Sequence, residues 1–86
     1  MRVGEYWKQK PEHTIVVHHW QMLKIAKAQQ NPDRWMCDKI TYAKGNGLHA
    51  RSNAVSASGK LVYEKYDRIS EVEAMKMIRK AQSEKR

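Results

Sequence analysis

The sequence predicts a small α+β domain, in which an antiparallel sheet of four or five strands has a C-terminal amphipathic helix packed on it. Three observations predict this fold class: several short segments rich in β-branched and aromatic residues, an Asn-Gly turn between two of them, and a helix-start signal near the end of the chain. The 86 residues are enough for one domain, 1–86. The predicted order of elements is ββα-βββ-α.

The first part of the chain predicts two strands followed by a helix. Val3–Gln9 alternates well enough for a strand, and Thr14–Trp20 is rich in β-branched and aromatic residues. In Gln21–Gln30 the apolar residues share one broad side of a helical wheel, which predicts an amphipathic helix. That helix should end at Asn31 because Pro32 disfavours a helical conformation at the residue before it.

The middle of the chain predicts a hairpin. Arg34–Tyr42 has apolar residues on both faces, which is typical of an interior strand. The run Lys44-Gly45-Asn46-Gly47 predicts a tight turn, because Asn-Gly readily adopts positive φ angles. The segment after it, Leu48–Ser58, is rich in small residues and is compatible with either a strand or a mobile loop.

The C-terminal part predicts a strand and then a helix. Lys60–Tyr66 has the composition of a last strand. Ser70 and Glu73 have the spacing of a capping box, which starts a helix. We expect the end of that helix, Ser83–Arg86, to fray. The apolar stripe that should face the sheet consists of Ala74, Met75, Met77, Ile78 and Ala81.

The net charge of +8 indicates an anionic partner, and its distribution is more informative than its size. The span from Lys39 to Tyr63 contains no acidic residue. A second basic group lies on the outer side of the C-terminal helix, and Lys24 and Lys27 form a third, smaller pair. The alternative is a solvated surface that keeps the protein soluble. The residues predicted to contact phosphates are Lys39, Lys44, Arg51, Lys60, Lys76, Arg79 and Lys80, and those predicted to stack on bases are Tyr42 and Tyr63.

This pattern predicts a nucleic-acid-binding protein without enzymatic activity, with RNA favoured over DNA. Neither predicted helix has a helix-turn-helix context for duplex binding, and a sheet with aromatic rings and flanking lysines suits single strands. One alternative is an inhibitor that binds a host nuclease, toxin or polymerase, either alone or together with RNA. Another is a small DNA-binding regulator. No catalytic or metal-ligand spacing is present, so we expect neither a cofactor nor a bound metal.

Further expectations concern the setting in which the protein acts. The aliphatic runs are too short to cross a bilayer, and the single cysteine, Cys37, fits a reducing compartment, so we expect a cytoplasmic protein that does not bind membranes. A homodimer is a further expectation, because exposed strand edges readily pair with a second copy.

Two segments and the general form of the chain resemble known proteins. Val3–Lys8 (VGEYWK) resembles the first strand of small SH3-like barrels. Gly59–Tyr63 (GKLVY) and Ser70–Ala74 (SEVEA) are similar to the last strand and helix of small three-strand-plus-helix DNA-binding modules, although Arg51 alone represents the arginine-rich strands of those modules. In size, basicity and lack of catalytic motifs the chain resembles phage early or accessory proteins that act against host enzymes or defences. This general resemblance implies no particular site residues.

Overall fold

The structure is a computed structural model. It describes residues 1–13, 19–30, 33–43 and 47–83, of which 13 and 47–54 are described as backbone only. The described residues form five strands, two α-helices and one short 3-10 turn. The strands are β1 (Tyr6–Gln9), β2 (Trp20–Ala28), β3 (Arg34–Ala43), β4 (Gly47–Ser58) and β5 (Tyr66–Ile69), the helices are α1 (Gly59–Lys65) and α2 (Glu71–Ser83), and the turn is Pro11–His13.

The strands form one antiparallel sheet with the order β4-β3-β2-β1-β5. This arrangement confirms the predicted α+β fold class, with α2 as the C-terminal helix packed on the sheet. β2 occupies the centre of the sheet, between β1 and β3. β4 and β5 lie at the two edges, and β4 is much the longer of the two. The predicted homodimer stays a prediction.

The two helices cover opposite faces of the sheet, which gives the domain three layers. On the α1 face, Val62 of α1 packs in one apolar cluster with Leu23 and Ile25 of β2. On the α2 face, Ile78 of α2 packs in a second cluster with Met22 of β2. Neighbouring strand residues point to opposite faces, so β2 contributes to both clusters. The first cluster also contains Trp7, Cys37, Ala57 and Tyr66, and the second Tyr6, Ile40 and Ala74.

The predicted helix at Gln21–Gln30 is wrong, because most of these residues belong to β2. The central position of β2 explains the error. A strand that is covered on both faces has apolar residues on both and therefore loses the alternation typical of a half-exposed strand. Met22, Leu23 and Ile25 are all buried, and their spacing imitates the apolar side of a helix. Pairing with β1 and β3 outweighs that local pattern.

The predicted last strand at Lys60–Tyr66 is also wrong, because α1 occupies Gly59–Lys65 and β5 begins only at Tyr66. β-propensity depends strongly on tertiary context. Here a helix of seven residues packs on the α1 face and places Val62, with 0 % of its surface exposed, in the core. The resemblance to a three-strand-plus-helix module loses its last strand with this correction.

A contact distant in sequence fixes the start of α1. Ser58 is its N-cap: the hydroxyl accepts the backbone N–H of Leu61 at 3.5 Å and donates to Asp33 Oδ2 at 2.9 Å. The backbone N–H of Gly59 donates to the carbonyl of Asp33 at 2.8 Å. A Cβ at Gly59 would lie only 2.8 Å from Asp33 Oδ1, so any larger residue would push the Asp33 carboxylate away from its place beside Ser58. The β2–β3 connection therefore positions the helix.

The predicted first strand is shorter than expected, since Val3–Gln9 narrows to β1 at Tyr6–Gln9. Gly4 has a φ of +94°, a conformation that side-chain-bearing residues rarely adopt and that ends the extended backbone. Its N–H still donates to the carbonyl of Ile25 at 2.8 Å. The chain before β1 therefore turns along β2 instead of continuing the strand.

The remaining described elements agree with the sequence. Arg34–Tyr42 lies within β3. Leu48–Ser58, which the sequence left open between a strand and a loop, belongs to the strand β4. α2 begins after Ser70, whose hydroxyl accepts the backbone N–H of Glu73 at 3.1 Å. Its apolar stripe faces the sheet as predicted, with three residues buried and both methionines half-buried.

Three predicted features fall wholly or partly outside the described residues. They are most of the strand Thr14–Trp20, of which Trp20 begins β2, the Lys44-Gly45-Asn46 part of the predicted turn, and the chain after Ser83.

Candidate nucleic-acid interface

The C-terminal helix has a basic outer surface. Its buried residues face the sheet, and Lys76, Arg79 and Lys80 are exposed on the sides turned away from it. With 100° between successive residues of a helix, the three cations do not all point the same way. Arg79 lies towards a groove between α2 and the sheet, whereas Lys76 and Lys80 lie on the outer surface of the helix.

The groove beside Arg79 has a volume of about 540 Å³. Its floor is the α2 face of β2 and β3, where Lys24 lies opposite Asp38 in the strand register. The Lys24 ammonium is 5.5 Å from the centroid of the Tyr6 ring, close enough for a cation–π interaction. Glu71, at the start of α2, also lines this part of the groove.

A second cavity, of about 560 Å³, is lined by residues at the ends of β2 and β3 and by Ser56 of β4, and Lys27 and Met36 place it on the same face of the sheet. Lys27 and Met36 line it and are register partners, the next pair on this face of β2 and β3 after Lys24 and Asp38. The two cavities follow one another along β2 and β3, and we call them together the basic groove. Its cations are Lys24, Lys27, Arg34 and Arg79.

A β-bulge brings the two lysines of β2 to the same face. Residues three apart point to opposite faces of a regular strand. The register shifts between Ile25 and Lys27, so Ala26 is an extra residue in β2. After the bulge Lys27 faces the α2 side together with Lys24. The basic groove depends on this one inserted residue.

Hydrogen bonds orient Arg34 at the far end of the groove. Its Nε and Nη2 donate to Ser56 Oγ at 3.2 and 2.9 Å. The Ser56 hydroxyl in turn donates to Gln29 Oε1 at 2.7 Å. Strands β3 and β4 and the end of β2 thus hold the guanidinium in one direction. We call the cavity around this side chain the Arg34 pocket, with Lys27, Ala28, Gln29, Gln30, Met36 and Ser56 as its other lining residues.

The four cations of the groove exceed its carboxylates, Asp38 and Glu71. Within the described part of the chain, none of the four forms an ion pair with a carboxylate. Arg68 does pair with a carboxylate, that of Glu5 at 3.3 Å, but neither residue lines the groove. Among the described residues, the four groove cations are thus not neutralised by a carboxylate. Where such cations line a cleft with low-dielectric walls, they attract an anionic ligand.

The structure divides the predicted phosphate-binding residues between the two faces of the sheet. Lys76, Arg79 and Lys80 belong to α2, whereas Lys60 is exposed on α1 on the opposite face. Lys39 is half-buried in β3 and lies opposite Leu23, on the α1 face. Lys44 is outside the described residues, and Arg51 is described only as backbone of β4.

The two predicted stacking residues also lie on opposite faces. Tyr42 of β3 stacks on Trp20, with ring centroids 5.3 Å apart and 17° between the planes. Tyr63 belongs to α1 and has 55 % of its surface exposed. Its ring contacts Trp7 edge to face at 5.2 Å, and its hydroxyl accepts a hydrogen bond of 2.9 Å from the amino group of Met1. One extended strand cannot reach both tyrosines without passing around an edge of the sheet.

Lys24, Lys27 and Arg34 were outside the predicted set of binding residues. The two lysines form a visible pair in the sequence, but the helix predicted for that segment places them away from Arg34. Only strand pairing brings β2 and β3 together, and only the bulge aligns the lysines. The signal that the sequence offered for this site is the pair of lysines three residues apart, Lys24 and Lys27.

Other classes of site find little support in the described residues. No group of three or more histidine, cysteine, aspartate or glutamate side chains there comes close enough to hold a metal ion. Among the same residues, no helix combines the length and the apolar character that crossing a bilayer demands. Comparisons of the chain with models of protein families, with curated proteins and with solved structures find no match.

Proposed function

We propose that the protein binds single-stranded nucleic acid in the basic groove, with RNA preferred over DNA, and that it catalyses no reaction. The observation that supports this proposal is that Lys24, Lys27, Arg34 and Arg79, from three elements, line two successive cavities on one face of the sheet. Most of the affinity of such proteins comes from cations that neutralise phosphates. Lys76 and Lys80, on the outer surface of α2, add to the attraction at longer range.

The shape of the groove favours a single strand over a duplex. The cavity beside Arg79 lies between α2 and the strands beneath it, so we expect it to accept the backbone of a single strand more readily than a duplex. A duplex would meet only the outer surface of α2, where the described residues offer Lys76 and Lys80. A single strand can lie along the floor and contact Lys24, Lys27 and Arg79 in succession.

Polar groups beside the cations favour RNA. The 2′-hydroxyl is what distinguishes RNA from DNA at a binding site, and it can donate a hydrogen bond. The Asp38 carboxylate and the Gln82 side chain line the groove next to Lys24 and Arg79. The Asp38 carboxylate repels phosphates but can accept a hydrogen bond from a 2′-hydroxyl. A groove that contains it therefore favours RNA more than a groove of cations alone would.

NMR titration tests the proposal directly, because the chain is small enough for backbone amide assignment. Adding a single-stranded uridine octamer should shift the amide signals of Lys24–Ala28, Arg34–Met36 and Arg79. The signals of Gly59–Lys65, on the opposite face, serve as the internal control and should stay in place. The matched deoxyuridine octamer should give the same map with weaker affinity.

Two results would contradict the proposal. Shifts confined to α1 would place binding at Lys60 and Tyr63 on the other face of the sheet. No shift with excess RNA at low salt would show that the groove does not bind single strands.

A further inference from the structure

The Arg34 pocket has the properties of a site for one base of the bound strand. Its volume of about 560 Å³ is in the range of small-ligand pockets, about 300–1,000 Å³. Met36 provides apolar surface on which a flat ring can rest, and Gln29 and Gln30 add amide groups to the lining. A bare phosphate would use none of the apolar surface.

The orientation of Arg34 limits which base fits. Nε and Nη2 lie on one edge of the guanidinium, and both donate to the same acceptor, Ser56 Oγ. The end of the guanidinium, where Nη1 and Nη2 each have an N–H, is not used by Ser56. In the described part of the chain no carboxylate pairs with it. Two parallel donors, held in place, are therefore available to a ligand that presents two neighbouring acceptors.

We infer that the Arg34 pocket recognises a guanine base of the bound strand through its O6 and N7 atoms. Guanine presents these two acceptors side by side, and an arginine fork contacting both is the commonest specific contact of this kind. Adenine presents one acceptor and one donor on the same edge, so it would set an N–H of its amino group against an N–H of Arg34. This inference rests on the proposed function, since it names the base that the groove selects.

The test measures binding of four uridine octamers that differ in one central base. The strand with a central guanine should bind about tenfold tighter than the strand with adenine. Inosine retains O6 and N7 and should bind like guanine, whereas 7-deazaguanine lacks N7 and should lose most of the preference. These comparisons use the unaltered protein, so they do not depend on the folding of a variant.

Two variants assign the preference to this pocket. Arg34→Lys keeps the charge but removes the fork, so guanine and adenine strands should bind alike while binding itself persists. Ser56→Ala, at an exposed position, leaves Arg34 in place but removes the acceptor that orients it, and should reduce the preference. Ser56→Thr keeps a hydroxyl and should retain it.

The possible failures are distinguishable. Equal binding of guanine and adenine strands by the unaltered protein would overturn the guanine site and leave the proposed function standing. A 5′-phosphate that tightens binding whatever the base, and does so only with Arg34 present, would also overturn it, because the pocket would then hold a phosphate. Absence of binding to every strand would overturn both proposals.

Discussion

The salt dependence of RNA binding should report the phosphate contacts of the basic groove. Lys24, Lys27 and Arg79 are assigned to phosphates, and Arg34 to a base. Each phosphate neutralised on a single strand adds about 0.7 to the slope of log affinity against log salt, so three contacts give about 2.1. Between 50 and 200 mM salt, that slope lowers the affinity for a uridine octamer by about twentyfold.

Removal of two charges should flatten this dependence. Lys27→Gln with Arg79→Gln changes two exposed residues on different elements, so the fold should survive. The slope should fall to about 0.7, and the loss of affinity over the same salt range to about threefold. Fluorescence anisotropy with an end-labelled octamer at several salt concentrations measures both slopes.

The matched control removes two charges from the other face of the sheet. Lys60→Gln with Lys65→Gln lies on α1, and both lysines are exposed there. Net charge falls by the same amount, but the slope should remain near 2.1. If this control flattens the slope as much as the groove variant, binding follows overall charge and the assignment of the groove is refuted.

Val62→Ala should destabilise the domain by about 2–3 kcal/mol, because this fully buried side chain joins α1 to the sheet. Urea unfolding measures the loss of stability. A loss below about 0.5 kcal/mol would show that α1 does not depend on this contact. Glu5 should stabilise the fold only above acidic pH. Burial alone would raise the pKa of Glu5, but the Arg2 backbone N–H, at 2.9 Å, and the Arg68 guanidinium, at 3.3 Å, hold it below its usual value of 4.5. This contribution is present above pH 4.5 and is lost as pH falls through the lowered pKa of the folded state. Glu5→Gln should therefore unfold at lower urea than the unaltered protein at pH 6, and the difference should close at strongly acid pH; a difference that persists unchanged there would contradict the role of the carboxylate.

Local signals were sufficient where one element decides its own conformation. The capping serine Ser70 and the apolar stripe after it predict α2, since both lie within one short segment of the chain. The stripe packs against only one surface, the sheet, so its helical spacing is visible in the sequence. The composition of Arg34–Tyr42 predicts β3, because apolar residues on both faces over so short a segment are typical of an interior strand. The exposed positions of the α2 cations are predicted together with the helix. Once the apolar side is known, helical spacing assigns Lys76, Arg79 and Lys80 to the exposed sides.

Local signals failed where two layers meet. β2 is covered on both faces, so its apolar residues do not alternate and imitate a helix. α1 depends on a cap whose serine is held by Asp33, 25 residues earlier in the chain. Neither the double coverage nor that contact is visible from neighbouring residues.

The sequence by itself determined the fold class, the C-terminal helix and an excess of positive charge that favours an anionic partner. The tertiary structure decided where that charge is concentrated. Strand pairing places Arg34 beside the lysines of β2, and the bulge at Ala26 turns Lys24 and Lys27 to the face that α2 covers. Charge is a property of each residue, whereas a groove needs residues that are distant in sequence to share one face, and only the packed sheet fixes which residues do.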